Sequence, residues 1–133
     1  MQEQEQAIRS AFAAEARERL AKARGELDAI PGNAALDRLH QEFDSLHGAA
    51  RAVNCRNLER LSRAAAEFAR WLRREPGRPT PAHVELLQQG ITLMEHAAGV
   101  RDGCEREDLE ADILHCLGMI RDKTERGTFG RGE

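Results

Sequence analysis

Four side chains that could take part in chemistry recur at helical spacing in one segment: His40, Asp44, His47 and Arg51. At about 100° per residue they fall within roughly 60° of one another, so they would form one stripe along a helix. An imidazole can act as a nucleophile, a base or a metal ligand, and a neighbouring carboxylate can orient it. The stripe is therefore the first candidate for a functional face.

The apolar residues of the same segment indicate how that stripe is positioned. They recur three or four residues apart, which is the spacing of one buried helix face, at Leu36, Leu39, Phe43, Leu46, Ala50 and Val53. The polar stripe lies about 100° from the centre of this face, so we expect it at the exposed flank of the helix. Gly48 lies on the same side, where a missing side chain would let another surface approach the backbone.

A metal site is one alternative for the histidines. His40, Asp44 and His47 stand at i, i+4 and i+7, and zinc accepts both imidazole and carboxylate ligands. Three ligands spread over two helical turns seldom converge on one ion, and no fourth ligand is identifiable. We therefore predict no metal and no other cofactor.

The composition of the chain excludes several classes of function. It has 133 residues, 41% of them hydrophobic and 32% charged, and a formal net charge of −3. A negative net charge does not indicate that the chain binds nucleic acid, and no apolar run is long enough to cross a membrane. The first residues are polar, unlike a secretory signal, and the three cysteines form no C-x-x-C pair. These features favour the cytoplasm.

Apolar periodicity predicts five helices and no strands. They span about 3–29, 33–52, 55–74, a fourth that begins at Thr80-Pro81, and about 105–123. Asn33 and Thr80 are the expected N-caps of the second and fourth helices. In the first helix, Ile8, Phe12 and Leu20 are expected to face the core.

These elements predict an all-α fold, an antiparallel helical bundle over residues 1–126. The second to fifth helices are expected to form a four-helix core, and the first is expected to pack on it. Residues 127–133 are rich in glycine and are expected to form a flexible tail or the beginning of a linker.

The segment from Phe43 to Val53 resembles the second helix of a histidine phosphotransfer (Hpt) domain of the kind found in chemotaxis-type histidine kinases. That family carries the pattern His-x-x-Lys-Gly-[Ser/Ala]-Ala. Leu46, Gly48, Ala49 and Ala50 match the pattern, and the helix order also agrees. Asn54 stands where the family often has glycine, and asparagine tolerates the left-handed backbone of such a corner.

The resemblance fails at the position that carries the chemistry of the family. The phosphorylated histidine falls on Asp44, and the family's lysine falls on His47. The resemblance therefore implies a pseudo-Hpt domain, a non-enzymatic interaction module of bacterial two-component signalling. Its expected partners are a response-regulator receiver domain, a histidine kinase or both, and its oligomeric state stays open.

The expected docking face consists of seven residues of the second helix: His40, Gln41, Asp44, Ser45, His47, Gly48 and Arg51. A basic strip, Arg51, Arg56, Arg60 and Arg63, borders it and could steer an acidic partner. Two other functions stay open. The first is an active phosphorelay protein that uses His47 or, second in order, His40 as a displaced acceptor, and the other is a structural helical domain without a signalling partner.

Overall fold

Five α-helices account for most of the chain. The computed structural model describes residues 2–30, 32–75, 79–99 and 109–129, with side chains in the last helix up to residue 125. The helices are α1 (Gln2–Leu27), α2 (Asn33–Ala52), α3 (Arg56–Arg74), α4 (Pro81–Ala97) and α5 (Leu109–Phe129). The described ranges contain no strand, so the predicted all-α fold is confirmed.

The four helices that close the bundle are α1 to α4. Among the described residues, α1 packs against α2 and α4, and α3 packs against the same two helices, so the four form a ring. The fifth helix, α5, lies outside this ring against α3 and α4. The expectation that the second to fifth helices form the four-helix core is therefore wrong. An apolar stripe indicates that a helix face is buried but not which helix covers it.

Ion pairs between neighbouring helices define their directions. Arg19 of α1 lies 3.0 Å from Glu42 of α2, and the next pair along is Glu26 with Arg38, so α1 and α2 are antiparallel. The helices α2 and α3 are antiparallel too, because Asp37 pairs with Arg73 at 3.1 Å near one end and the α2–α3 corner closes the other.

The core of the ring is built from the predicted apolar faces. In α2, Leu36, Leu39, Phe43, Leu46 and Ala50 are all fully buried, and Val53 at the helix end is half-buried. These side chains pack with the buried faces of the other four helices in one continuous cluster. Burying a Leu or Phe side chain contributes about 1.5–3 kcal/mol, so this cluster fixes the orientation of α2.

The first helix contributes only its second half to the core. Leu20 is fully buried and Phe12 is half-buried, but Ile8 remains 57% exposed, against the prediction. With Arg19 level with Glu42, the antiparallel register places the end of α2 near residue 9 of α1. The first turns of α1 therefore extend past the end of α2, so Ile8 has no part of α2 to pack against.

The predicted N-cap of α4 is confirmed, whereas the predicted N-cap of α2 and the predicted end of α5 differ. Thr80 caps α4, and His83 completes a capping box, since the Thr80 backbone N–H donates to His83 Nδ1 at 2.9 Å. The expected N-cap Asn33 is instead the first residue of α2, and Gly32 occupies the cap without a side-chain hydrogen bond. At the other end of the chain α5 continues to Phe129, three residues into the segment predicted as a tail. The predicted start of the fifth helix near residue 105 and residues 130–133 lie outside the described residues.

Candidate functional site

The candidate site is the outer face of α2. Because Phe43, Leu46 and Ala50 are held in the core, the opposite side of the same turns is turned outward. Asp44 is exposed and takes part in no hydrogen bond or ion pair with any other described residue. Its carboxylate is therefore available to a partner.

Four further residues of the predicted docking face are exposed together with Asp44. They are Gln41, Ser45, Gly48 and Arg51. A Cβ atom built on Gly48 would have nothing within 4 Å, so no neighbouring part of the described chain requires the glycine. The open space at Gly48 leaves the backbone of α2 accessible from outside, as expected from the sequence.

His40 is anchored to α3. Its Nδ1 lies 3.0 Å from the carbonyl oxygen of Ala66, and the side chain is half-buried rather than fully exposed. A carbonyl oxygen only accepts hydrogen bonds, so Nδ1 carries the proton and donates it. The lone pair of the neutral ring is then on Nε2, in a fixed orientation.

His47 is also directed toward α3. Its Nε2 lies 3.7 Å from Glu59 Oε1, and both side chains are partly buried. Asp44, the orienting carboxylate expected from the spacing in α2, forms no hydrogen bond or ion pair with His47 in the described part of the chain. A partner on the same helix can be anticipated from sequence, whereas Glu59 comes close only because α3 folds back along α2.

The family of the chain follows from a comparison with protein-family models. The model of the Hpt domain matches residues 7–98. This chain belongs to the Hpt family. The matched segment covers most of α1 and all of α2, α3 and α4, which are the four helices of the closed ring. No curated protein and no solved structure matches the chain.

Membership in the Hpt family connects the chain with phosphorelay signalling. Hpt domains carry phosphoryl groups in two-component systems, and they interact with kinases and with receiver domains. Within the described residues, no helix is long and apolar enough to cross a membrane. The family relation agrees with the outward position of the α2 face, since a phosphotransfer surface must be accessible to a second protein.

The basic strip beside the outer face of α2 is only partly available to a partner. Arg60 pairs with Glu110 of α5 at 3.2 Å, and Arg63 pairs with Glu67 at 3.6 Å. Arg51 and Arg56 are exposed and form no ion pair with a described residue. The positive charge of the strip is therefore concentrated at the corner between α2 and α3.

Metal-binding geometry is not present in the described part of this Hpt domain. No group of three or more His, Cys, Asp or Glu side chains in those ranges is arranged to hold an ion. In particular, His40 and His47 are directed toward different partners on α3, Ala66 and Glu59. The described residues therefore offer no convergent set of ligands on the α2 face.

Sequence reasoning missed the contacts of two residues, Glu59 beside His47 and His83 at the start of α4. The sequence shows that Glu59 is an acidic residue near the start of α3. It does not show that Glu59 lies beside His47 of α2. His83 stands three residues after the N-cap Thr80, the position from which a capping box closes. Its ring also lies edge-on to Trp71 and Phe68, with centroids 5.8 Å from each, which no local pattern indicates.

Proposed function

We propose that this Hpt domain is a non-catalytic interaction module in bacterial two-component signalling, which docks a receiver domain or a histidine kinase without carrying phosphate. The observation that carries the proposal is Asp44. It is exposed at the centre of the outer face of α2, four residues before Gly48, where the family pattern has its histidine.

Asp44 is a poor replacement for a phosphorylated histidine. Phosphoryl uptake in such a relay needs a neutral imidazole nitrogen as nucleophile, and a carboxylate is both less nucleophilic and negatively charged. That charge repels an incoming phosphoryl group. The same charge partly imitates a phosphorylated side chain, although it is smaller and closer to the helix. Asp44 therefore suits recognition better than transfer.

The docking face supports binding by its shape and its charges. Five of its seven residues are exposed along α2, namely Gln41, Asp44, Ser45, Gly48 and Arg51. The half-buried His40 and His47 border them on the side of α3. A partner can approach the backbone at Gly48, and Arg51 with Arg56 provides positive charge that attracts an acidic surface. Docking here would sequester a receiver domain, block a kinase or compete with an authentic phosphotransfer protein.

The competing function is an active relay with a displaced acceptor, His47 or His40. Phosphorylation would need an unprotonated ring nitrogen that faces solvent. The hydrogen bond from His40 Nδ1 to Ala66 leaves the lone pair on Nε2, whereas Nε2 of His47 faces Glu59. Each ring therefore has one nitrogen directed toward α3, and the order of the two acceptors, His47 before His40, stays a prediction.

Incubation with phosphoramidate, followed by intact mass measurement at neutral to alkaline pH, distinguishes the two functions. The wild-type protein should gain no phosphoryl group, while an authentic Hpt protein run alongside gains one. Asp44→His should restore uptake, because Gly48, Ala49 and Ala50 keep the family pattern after that position, although His47 replaces its lysine. His40→Ala and His47→Ala run as further controls. A phosphorylated wild-type protein whose label disappears in either variant would establish the relay instead.

A further inference from the structure

A second candidate binding site lies on the opposite side of α3, in the groove between α3 and α5. Its volume is about 500 Å³. Among its lining residues, Phe68 and Ile120 are buried, and Trp71 and Leu117 are half-buried. The groove therefore has an apolar floor, of which Trp71 and Leu117 remain accessible.

Three exposed arginines surround this floor. Arg70 and Arg74 stand one turn apart on α3, and Arg121 faces them from α5. None of the three forms an ion pair with another described residue. Glu67 is the one carboxylate among the described lining residues, and it already lies 3.6 Å from Arg63. The groove is thus locally positive in a chain whose formal net charge is −3.

The accessible aromatic residue of the groove is held in place. The Trp71 ring stacks on Phe68 with the centroids 6.0 Å apart, and it meets His83 edge-on at 5.8 Å. A side chain already fixed by its neighbours loses little conformational entropy when a ligand binds. Tryptophan and arginine are also the residue types that most often dominate the energy of protein interfaces.

The groove depends on a helix beyond the family match. The Hpt match ends at residue 98, and α5 begins at Leu109. Without α5 there would be no second wall and no Arg121. The groove is therefore a feature that this chain adds to the four-helix ring.

We propose that the α3–α5 groove is a docking site for an acidic peptide segment of a protein partner. Its carboxylates would pair with Arg70, Arg74 and Arg121, since guanidinium groups bind carboxylates in a bidentate manner. Its apolar side chains would cover Trp71 and Leu117. Nucleic acid is a less suitable ligand, because the chain has a net negative charge and three arginines can neutralise only a few phosphates of a long backbone. The site is separate from the α2 face and does not depend on its function.

Trp71 gives a direct readout of this proposal, because the chain has one tryptophan and no tyrosine. The probe is a synthetic peptide of alternating Glu and Leu, which has no aromatic residue. Titration should change the Trp71 emission in a saturable manner. A Lys/Leu peptide and a Glu/Ser peptide should each bind at least about tenfold more weakly, the equivalent of one lost favourable contact.

Charge reversal distinguishes peptide binding in the groove from nonspecific electrostatic attraction to the protein. Arg70→Glu/Arg74→Glu should weaken the Glu/Leu peptide at least about tenfold, whereas Arg9→Glu/Arg17→Glu, an equal charge change on exposed positions of α1, should leave it nearly unchanged. Circular dichroism checks the fold, and Arg121→Glu on α5 serves as a second variant. An unchanged Trp71 emission, an equal loss in the α1 variant, or tighter binding of an oligodeoxythymidine would each overturn the proposal.

Discussion

Asn54 shows that one residue type can predict a local backbone conformation. It has a positive φ of 60° at the corner between α2 and α3, the only positive φ of a non-glycine residue in the described ranges. Asparagine tolerates this left-handed backbone better than most side chains, as expected where it replaces the family's glycine. The substitution therefore preserves the corner that folds α3 back along α2 and brings Ala66 to His40.

Cys116 gives a prediction at the scale of one side chain. Burial in α5 raises the pKa of its thiol to about 11, because burial disfavours the charged thiolate. The thiolate is the reactive form, so the native protein should remain unmodified by iodoacetamide at this position at pH 8 and gain reactivity as the pH approaches 11. Peptide mass mapping measures the modification.

The control for Cys116 is the same reaction in concentrated urea, where the thiol returns to its ordinary pKa and becomes accessible. Equal modification of native and unfolded protein at pH 8 would show that the thiol is not buried as described. The result matters for use of the protein, since a buried and protonated cysteine does not interfere with labelling elsewhere.

At the scale of one element, α2 combines a buried face that fixes its position with an outer face that remains available. The core contacts of Phe43 and Leu46 hold the helix, and changes on its outer face should leave the fold intact. Gly48 is the clearest case. It lowers helix stability by about 1 kcal/mol relative to alanine, and no described atom lies close enough to require the absence of a side chain there.

Gly48→Trp should block docking without unfolding the protein. The new side chain would stand between a partner and the backbone of α2, and we expect at least about a tenfold loss of affinity for a receiver domain or kinase from the same organism. Gly25→Trp is the matched control, because Gly25 of α1 is also helical and exposed, with nothing within 4 Å of its Cβ position. Isothermal titration and urea unfolding provide the two readouts.

The two glycine variants separate a docking defect from a folding defect. Similar free energies of unfolding together with a loss of binding in Gly48→Trp alone support the α2 face. Unchanged affinity in Gly48→Trp, or an equal loss in both variants, would place the partner elsewhere on the molecule.

The whole molecule is a closed ring of α1 to α4 with α5 packed outside. The helix α1 is one of the four helices of the ring, although the sequence predicted that it packs on a core made by the other four. Arg24 of α1 binds Glu95 of α4 at 2.7 Å and Thr92 at 2.8 Å, and Arg19 binds Glu42 of α2. These contacts, with the buried Leu20, join α1 to both of its neighbours.

Two truncations in α1 test this arrangement. Leu20→Ala removes a fully buried side chain and should lower the free energy of unfolding by about 2–5 kcal/mol. Ile8→Ala removes an apolar side chain that is 57% exposed, beyond the end of α2, and should change it by less than about 0.5 kcal/mol. Urea denaturation followed by circular dichroism measures both. Similar losses for the two variants would mean that the whole length of α1 is packed.

The sequence by itself determined the number of helices, most of their ends and the buried face of α2. These features depend on residues within about one turn of each other, so they can be identified without the tertiary structure. The same local pattern placed His40, Asp44, His47 and Arg51 on one stripe. It also placed Gly48 on the accessible side of the helix.

Only the tertiary structure decided what the stripe and the helices contact. The anchoring of His40 by Ala66, the approach of Glu59 to His47 and the closure of the ring by α1 all join residues that are distant in sequence. The same holds for the α3–α5 groove, where Arg70 and Arg121 are brought together across two helices. Periodicity defines which side of a helix is buried, but the choice of its neighbours depends on how all five helices fill the core at once.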